Sequence, residues 1–406
     1  MTETRPLVVI ETHPVQYHAP VYRLVEEAHG IPVTVIYGSD FSVAGYRDKE
    51  FAASFSWDVD LTAGNDVRFL SRTENGGAKS FEDVSGHGLF RMMEAARGSA
   101  ILLTGYSGSF HIAAFYAARR SGRPILFRAE TSDAAVARNP IKAATRDWML
   151  RRLYALCARV LPIGSPSSAH YRRLGVPENK MIPAPYCVNT APFRCAESDR
   201  EELRREARAE SGLAANDIAI LFSGKLSERK GVHVLTAAVK LLPSDLRNRV
   251  VLIFLGGGPE QSAVAASCTG DPAVRAVFPG FRNQRQLSPW YHAAEMLVLP
   301  SLRSETWGLV VNEALHHGVP CVVSDAVGCA ADLVEEGRTG AIASAGSAES
   351  LAAAIARTAR MAGEDRLRSN CRQKVSGFSL ARAADGIARA WREVAAVPEM
   401  AARISA

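Results

Sequence analysis

Short, continuous apolar runs alternate with helical patterns along almost the whole chain, and this alternation constrains the fold more than any other feature. In the second half, the runs 218–223, 250–255, 296–299 and 340–343 are separated by segments whose apolar residues recur at helical spacing. Runs that are apolar throughout are typical of strands buried on both faces, as in parallel sheets covered by helices. Because crossovers between parallel strands are right-handed, the pattern predicts α/β domains with doubly wound sheets.

The length of the chain indicates more than one such domain. A chain of 406 residues with 47% apolar composition is too long for one ordinary core and long enough for two. A charge-dense stretch between Phe193 and Gly212 follows the last N-terminal strand and marks the boundary. We therefore predict Rossmann-like domains over residues 1–196 and 197–377 and a C-terminal helix within 378–406. Two such domains in tandem imply a cleft, because parallel sheets bind ligands at the carboxyl ends of their strands.

Charge and cysteine content indicate the possible partners and the cell compartment of the protein. The net charge of +6 suits nucleic acid, anionic lipid or phosphorylated substrates without choosing among them. The seven cysteines form no C-x-x-C pair and are irregularly spaced, which indicates reduced thiols in a cytoplasmic protein. The N-terminus lacks the apolar core of a signal peptide, and no apolar run approaches the roughly 18 residues of a membrane span. Any membrane contact is therefore expected to be peripheral, at the inner face of the cytoplasmic membrane.

A basic, aromatic-bearing region extends from Arg119 to Arg173. Twelve basic residues there stand against three acidic ones, and Trp148 and Tyr154 are interleaved with them. Such a region fits docking to anionic lipid or to a pyrophosphate-linked acceptor, and it equally fits a solvated helix with its apolar side in the core. No recognised nucleic-acid-binding motif is present, so nucleic acid is not expected as a partner.

Three basic side chains lie where a helix is expected to begin. Lys225, Arg229 and Lys230 belong to the run from Gly224 to Gly231, which follows a strand and opens a helix. Cations are unfavourable at a helix N-terminus unless an anion sits among them. The run therefore indicates either an anion site or a solvated basic loop.

Two acidic residues flank the expected start of another helix. The segment 300–314 follows the strand 296–299 and contains Glu305, Gly308 and Glu313. Gly308 lets a phosphate approach exposed backbone N–H groups, and Glu313 lies about 7.5 Å further along the helix axis. One carboxylate can then meet hexose hydroxyls and the other ribose hydroxyls, with a diphosphate between them. The alternative is a pair of solvated acids, which the neighbouring Trp307 disfavours.

From Ile218 to Ile355 the chain resembles the retaining glycosyltransferases of family 4 (glycosyl transferases group 1). The resemblance rests on the order and spacing of several motifs, which are Gly224 to Gly231, the glycine-rich turn Leu255 to Pro259, Phe278 to Gly280, Pro300 to Glu313, and the continuation to Pro320. It implies the GT-B fold, in which two Rossmann-like domains face a central cleft and a C-terminal helix crosses back to the N-terminal domain. It also implies that the N-terminal domain binds the acceptor and the C-terminal domain binds a nucleotide-sugar donor.

The resemblance further implies roles for individual residues of the C-terminal domain. The two lysines are expected to hold the donor diphosphate, with Glu305 near the donor sugar, Glu313 on the ribose and Arg282 near the base. Lys225 stands where the family has arginine, so the positive charge is kept and the bidentate fork is lost. No cofactor or metal is implied. The expected catalytic residues are Lys225, Lys230 and Glu305, and the expected donor-binding residues are Gly224, Arg282, Gly308, Leu309 and Glu313.

The N-terminal half departs from the family pattern. In place of a Gly-Gly turn after the first strand it has the polar, aromatic run 11–18, which fits either an acceptor pocket or a turn held by its own side chains. Glu130 stands near the position of a family histidine and fits either a sugar-contacting carboxylate or a partner of Arg128. The expected acceptor-side residues are His13, Gln16, Tyr17, His18, Tyr106 and Glu130.

The predicted function is transfer of a sugar, with retention, from a UDP- or GDP-linked donor to a hydroxyl of a glycan, lipid-linked or small-molecule acceptor in bacterial-type glycan biosynthesis. The lone Asp58-Val59-Asp60 motif, which holds a metal in another transferase fold, lacks the necessary sheet context here. Two alternatives remain, a sugar-nucleotide epimerase of the same architecture and a non-catalytic protein that binds sugar nucleotides. The paired lysines together with Glu305 and Glu313 favour transfer.

Overall fold

The computed structural model describes residues 5–48, 53–55, 58–131, 133, 139–270 and 274–404. Most central strands coincide with runs that are apolar throughout, because a strand covered on both faces needs apolar side chains on both. The strands are β1 (Leu7–Glu11), β2 (Val33–Ser39), β3 (Tyr46–Asp48), β4 (Ala53–Phe55), β5 (Asp66–Ser71), β6 (Ala100–Leu103), β7 (Ile125–Phe127), β8 (Arg159–Val160), β9 (Ile218–Ser223), β10 (Val250–Leu255), β11 (Arg275–Gly280), β12 (Met296–Leu299), β13 (Cys321–Ser324) and β14 (Gly340–Ala343).

Twelve of these strands form two six-stranded parallel sheets. The first sheet has the order β5-β2-β1-β6-β7-β8, and the second has the order β11-β10-β9-β12-β13-β14. In each sheet the chain moves outward from its first strand and then returns to the other side, which is the doubly wound arrangement. The predicted fold class is thus confirmed. β3 and β4 pair antiparallel as a separate hairpin.

Helices cover both faces of each sheet. In the N-terminal domain one apolar layer contains Val21 and Ile387, and the opposite layer contains Phe110 and Leu150. The helices are α1 (Ala19–His29), α2 (Leu89–Ala95), α3 (Gly108–Arg120), α4 (Pro140–Leu156), α5 (Ser165–Arg173), α6 (Arg200–Glu210), α7 (Val232–Lys240), α8 (Ser244–Arg247), α9 (Gln261–Thr269), α10 (Ser288–Ala293), α11 (Leu309–His316), α12 (Ala330–Leu333), α13 (Ala348–Met361), α14 (Asp365–Val375) and α15 (Leu380–Ile404).

The last helix, α15, belongs in space to the N-terminal domain. Its buried residues Ala384 and Ile387 share a core with Val21 of α1, and the indole Nε1 of Trp391 donates to Ser99 Oγ at 2.9 Å. The chain therefore crosses from the C-terminal domain back to the N-terminal one, as the resemblance implies. No helix in the described part of the chain is long and apolar enough to cross a membrane.

The sequence patterns missed structure between residues 38 and 75. That stretch has no strong period, yet it contains the edge strand β5 and the hairpin strands β3 and β4. β5 is only half-buried along its length, so it lacks the unbroken apolar run that marks the central strands. The predicted boundary between residues 196 and 197 lies between the two sheets, just before α6.

A buried tryptophan joins the two domains. Trp307 of the C-terminal domain is 2% exposed, and its ring lies 6.2 Å from that of Tyr186 and 5.7 Å from that of Phe378. A Cβ added to Gly164 of the N-terminal domain would lie 2.2 Å from the indole Cζ3, so no other residue fits there without movement. Nearby, Ser165 donates its backbone N–H to Asp332 Oδ2 at 2.8 Å across the same junction.

Candidate active site

Side chains from both domains meet across the cleft between the two sheets. The hydroxyl of Tyr17 lies 3.4 Å from Glu313 Oε1, and Thr306 Oγ1 donates to Glu130 Oε2 at 2.6 Å. Tyr17, Glu130 and Thr306 follow the carboxyl ends of strands, and Glu313 lies in a helix that begins at the same edge. Open parallel sheets bind ligands at this edge.

The lysine-bearing loop after β9 is packed tightly against two neighbouring loops. A Cβ at Gly256 would lie 2.1 Å from the carbonyl oxygen of Gly224, and a Cβ at Gly231 would lie 2.2 Å from that of Pro300. Neither position accommodates a side chain. The two contacts seat Lys225 and its neighbours beside the segment that begins at Pro300.

Lys230 and Glu305 form an ion pair at this junction. The Lys230 ammonium donates to Glu305 Oε2, which also accepts a hydrogen bond from Ser301 Oγ at 2.9 Å. Both side chains of the pair are only about one-eighth exposed, at 13% and 12%. The structure therefore brings together two of the three residues that the sequence predicts as catalytic, and the third, Lys225, lies in the same loop as Lys230.

The N-terminus of α11 faces the part of the cleft that contains the Lys230–Glu305 pair. The helix begins at Leu309, directly after Gly308, whose φ of 99° is in the region that favours glycine. The first backbone N–H groups of a helix have no intrahelical acceptor and carry partial positive charge. Together with Lys225 and Lys230, they form an environment suited to an anion such as a diphosphate.

Glu313 is a buried carboxyl group in the second turn of α11. It is 2% exposed, and it accepts hydrogen bonds from Tyr291 OH at 2.5 Å and from Tyr17 OH at 3.4 Å. Burial raises the pKa of Glu313 to about 7, and the two tyrosine hydrogen bonds oppose that rise. A carboxyl group held in this way can accept hydrogen bonds from vicinal hydroxyls of a ligand.

A cavity of about 190 Å³, here called the Glu313 cavity, lies beside this carboxyl group. Gln16 and Tyr17 line it together with Gly224 and Arg282. This differs from the prediction, which placed Gln16 and Tyr17 on the acceptor side. The turn before α1 reaches across the cleft, so these two side chains contact the C-terminal domain.

Arg282 lines the Glu313 cavity with its guanidinium already engaged. It donates to the backbone carbonyl of Pro279 at 2.6 Å and to Glu210 Oε1 at 2.8 Å, and it lies over the Trp290 ring at 5.4 Å. The side chain is thereby held as a rigid wall of the cavity.

A chain of hydrogen bonds crosses the cleft from the N-terminal domain. Glu11 Oε1 lies 2.5 Å from His18 Nδ1, and His18 Nε2 lies 3.1 Å from the hydroxyl of Tyr186. Tyr186 donates to one oxygen of Glu130, and Thr306 of the C-terminal domain donates to the other. Glu130 is thus fixed from both sides, next to the segment that carries Glu305.

A second cavity of about 340 Å³, the Glu130 cavity, lies at the carboxyl edge of the first sheet. Its lining includes His18, Tyr106 and Glu130, three of the residues that the sequence predicts for the acceptor side, and also Arg128. Arg128 donates to the backbone carbonyls of Ala184 and Pro185, each at 3.1 Å, so it supports the wall rather than pairing with Glu130.

The remaining acceptor-side candidates occupy different settings. Tyr106 accepts a hydrogen bond from Arg146 Nη2 at 3.0 Å at the rim of the Glu130 cavity. His13 lies apart, with its ring tilted against that of Phe41 at 4.5 Å and its Nδ1 2.9 Å from Thr12 Oγ1. Burial lowers the pKa of His13 to about 4, which is the behaviour of a packed, neutral imidazole.

Sequence reasoning missed two tyrosines that hold the site together, and it included Glu11 only as part of the run 11–18. Tyr291 and Tyr186 orient Glu313 and Glu130, and Glu11 anchors His18. The two tyrosines lie far along the chain from their partners, in segments with no motif. Glu11 carried a weak signal, because it is a carboxylate at the end of an otherwise apolar strand.

Comparison with known proteins gives a family match that lies within the C-terminal domain. The family model described as "Glycosyl transferases group 1" matches residues 204–375. This range contains every predicted donor-side residue, including the Lys230–Glu305 pair and Glu313.

Curated relatives match part of the chain. The D-inositol 3-phosphate glycosyltransferase 1 of Catenulispora acidiphila is 34% identical over 203 residues, which is 47% of this chain and 47% of that protein. The D-inositol 3-phosphate glycosyltransferase of Streptomyces scabiei is 36% identical over 163 residues, which is 38% of this chain and 35% of that protein. The chain thus spans about half or less of the length of the curated relatives it matches.

Solved structures share the fold over nearly the whole chain. Anabaena Alr3699/HepE, solved in complex with UDP, has a TM-score of 0.68 at 17% identity and covers 96% of this chain and 100% of its own. A glycosyltransferase from Rickettsia africae has a TM-score of 0.69 at 13% identity, covering 96% and 98%. Residues 204–375 therefore match the glycosyl transferases group 1 family model, and the chain as a whole has the GT-B fold.

Proposed function

We propose that this protein is a glycosyltransferase that moves a sugar from a nucleotide-sugar donor to a hydroxyl acceptor, with retention at the anomeric carbon and without an essential metal. The observation that carries the proposal is the cluster in which Lys230 pairs with Glu305 beside the N-terminus of α11, with Glu313 buried one turn further on. The cluster offers positive charge that can bind a diphosphate. A carboxyl group on either side of that charge can accept hydrogen bonds from sugar hydroxyls.

In this proposal the donor lies along the carboxyl edge of the second sheet. Lys225, Lys230 and the first N–H groups of α11 bind the diphosphate, Glu313 binds the ribose, and Arg282 borders the base. Support for a uridine donor comes from the HepE protein, whose structures were solved in complex with UDP and with UDP-glucose. UDP-sugars are therefore the first donors to test, with GDP-sugars next.

The proposed reaction breaks the bond between the anomeric carbon and the diphosphate oxygen, and the diphosphate leaves with the electron pair. Lys225, Lys230 and the helix N-terminus stabilise the negative charge that develops on it. The acceptor oxygen then bonds to the anomeric carbon on the face the diphosphate has left, and its proton passes to the departing phosphate oxygen. The domains must exclude water during this step, since hydrolysis would otherwise compete.

The Glu130 cavity favours an acceptor without a phosphate group, although the curated relatives are named for inositol 3-phosphate. Its Arg128 guanidinium donates to backbone carbonyls, and burial lowers the pKa of His111, which keeps that ring neutral. The exposed carboxylate of Glu130 would repel a phosphate and accept hydrogen bonds from hydroxyls. We therefore propose an unphosphorylated polyol or glycan hydroxyl as the acceptor.

A donor and acceptor panel tests both parts of the proposal. Purified protein is incubated with UDP- and GDP-sugars, alone or with inositol, inositol 3-phosphate or lipid-linked glycans. Released nucleoside diphosphate gives the rate, and NMR gives the anomeric configuration of the product. We expect acceptor-dependent release that survives EDTA, a retained configuration, and faster turnover with inositol than with its phosphate.

The panel also separates the alternatives. Lys230→Ala should lower turnover by at least about tenfold, because it removes a cation from the leaving group, whereas the exposed Lys240→Ala should not. An epimerised donor without acceptor would instead support the epimerase. Donor binding with no release from any donor would support a non-catalytic binding protein. Faster turnover with inositol 3-phosphate would contradict the acceptor class while leaving sugar transfer intact.

A further inference from the structure

Exposed apolar side chains are concentrated on the outer side of the N-terminal domain. Nine large apolar side chains are exposed in the described part of the chain, and six of them lie on α3 and α4. The C-terminal domain exposes two, Leu241 and Ile342. The six side chains, here called the α3–α4 face, are Ile112, Tyr116, Ile141, Trp148, Met149 and Leu156.

The two helices place these side chains on the same side of the first sheet. α3 connects β6 to β7 and α4 connects β7 to β8, so the helices are neighbours on the same side of the sheet. Arg146 of α4 hydrogen-bonds to Tyr106 just before α3, which fixes their proximity. Within each helix the exposed residues recur at helical spacing, as Ile112 and Tyr116 do, and therefore share one side.

The charge of the α3–α4 face is basic and almost free of acid. α3 contains no acidic residue, and the only one in α4, Asp147, is paired with Arg173 and Arg146. Arg152 also lies over the Trp148 ring at 5.4 Å. Arg138, in the same basic region, lies outside the described residues. The exposed basic side chains of the two helices are Arg119, Arg120, Lys142, Arg151 and Arg152.

We propose that the α3–α4 face docks the protein on an anionic lipid bilayer. A solvated helix face would not leave Ile141 77% exposed and Trp148 62% exposed, whereas apolar side chains among basic ones match the interface of an anionic membrane. The apolar side chains enter the headgroup region, and the basic ones contact lipid phosphates.

This orientation brings the Glu130 cavity to the membrane. The N-termini of α3 and α4 lie at the carboxyl edge of the first sheet, and Tyr106 at the cavity rim bonds to α4. Phe81, which is 46% exposed, lines the same cavity. A lipid-borne hydroxyl could therefore enter from the docked side. The docking itself does not depend on the proposed sugar transfer.

Vesicle co-sedimentation tests the docking directly. The full chain is mixed with vesicles of phosphatidylcholine alone or of phosphatidylcholine with phosphatidylglycerol, at low and high salt. We expect binding to the anionic vesicles that weakens with salt, and at least about tenfold weaker binding to the neutral ones.

Two double variants assign the binding to this face. Ile141→Ser with Trp148→Ser removes the apolar contacts, and Arg151→Glu with Arg152→Glu reverses the charge, so each should weaken binding to anionic vesicles by at least about tenfold. The matched controls are Leu241→Ser and Arg205→Glu with Arg360→Glu, all at exposed positions of the C-terminal domain. Thermal unfolding confirms that the variants are folded.

The proposal is overturned if wild-type protein binds neither kind of vesicle, or if both double variants bind like the controls. Self-association that the Ile141→Ser and Trp148→Ser variant abolishes, without any vesicle binding, would instead identify the α3–α4 face as a contact between copies of the chain.

Discussion

Glu313 is the residue at which the proposed ligand binding and the stability of the fold oppose each other. Its carboxyl group is enclosed by the cleft, where it accepts hydrogen bonds from two tyrosine hydroxyls and borders the adjacent cavity. Such an environment is unfavourable for the ionised form until a ligand hydroxyl replaces the lost water. We therefore expect Glu313 to favour ligand binding while it lowers the stability of the ligand-free protein.

Replacing Glu313 with glutamine should separate these two effects. The folded-state pKa of about 7 exceeds the ordinary 4.5, so between these values the unfolded chain releases the proton first and wild-type stability falls as pH rises. Glu313→Gln removes this loss. The free energy of unfolding of the variant, relative to that of wild type, should rise by on the order of 2–3 kcal/mol from about pH 5 to about pH 8. The variant should also bind nucleoside diphosphate about tenfold more weakly.

Denaturant titration at both pH values and calorimetric titration with UDP measure the two effects. Glu206→Gln, at an exposed position of α6, is the control and should change neither quantity. A stability difference for Glu313→Gln that does not depend on pH would show that the carboxyl group is not buried as described.

At the scale of elements, α11 owes its position to the glycine that precedes it. Gly308 has a φ of 99°, and a Cβ there would lie 3.0 Å from both Leu299 Cδ2 and Val327 Cγ1. A side chain would therefore strain the backbone, crowd the β12 strand, and displace the first N–H groups of the helix.

Gly308→Ala should destabilise the fold by about 1–2 kcal/mol or more. It should also weaken diphosphate binding by about tenfold, because the helix N-terminus is the proposed anion contact. Gly337→Ala is the matched control, since Gly337 has a φ of 71° with open space around it. The control should lose comparable stability and keep its affinity for UDP. Equal affinity in both variants would exclude the helix N-terminus as the phosphate contact.

The elements that the sequence predicts well are those whose signal is local. β9, β10, β12 and β14 begin and end at the predicted residues because each is an unbroken run between turn residues. Lys230 and Glu305 were found because each lies in a motif, but their ion pair joins residues 75 positions apart and has no signature in sequence. Tyr291 and Tyr186 were missed for the same reason.

For the molecule as a whole, the junction around Trp307 is one of the contacts that hold the two domains facing each other. Gly164→Ala should disturb it, because the added methyl group would lie 2.2 Å from the indole, and Gly164 has an extended backbone that alanine tolerates. The change is therefore purely steric. Turnover should fall by at least about tenfold, as expected for a small misplacement of facing groups, and the melting temperature should fall as well.

Gly377→Ala, in the nearby crossover, is the control, since its Cβ would lie 3.9 Å from the nearest atom. Nucleoside diphosphate release and thermal unfolding compare the two variants. Wild-type turnover in Gly164→Ala would mean that the cleft does not depend on this contact.

The return of α15 to the N-terminal domain has a consequence for biogenesis. One apolar layer of the first sheet is completed by Ala384, Ile387 and Ala388, which the ribosome adds only after the whole second domain. In most multidomain chains the N-terminal domain folds first as synthesis proceeds. Here the second domain can fold its own core before α15 is available to cover Val21 and its neighbours. The N-terminal domain is therefore synthesised first but completes its folding last.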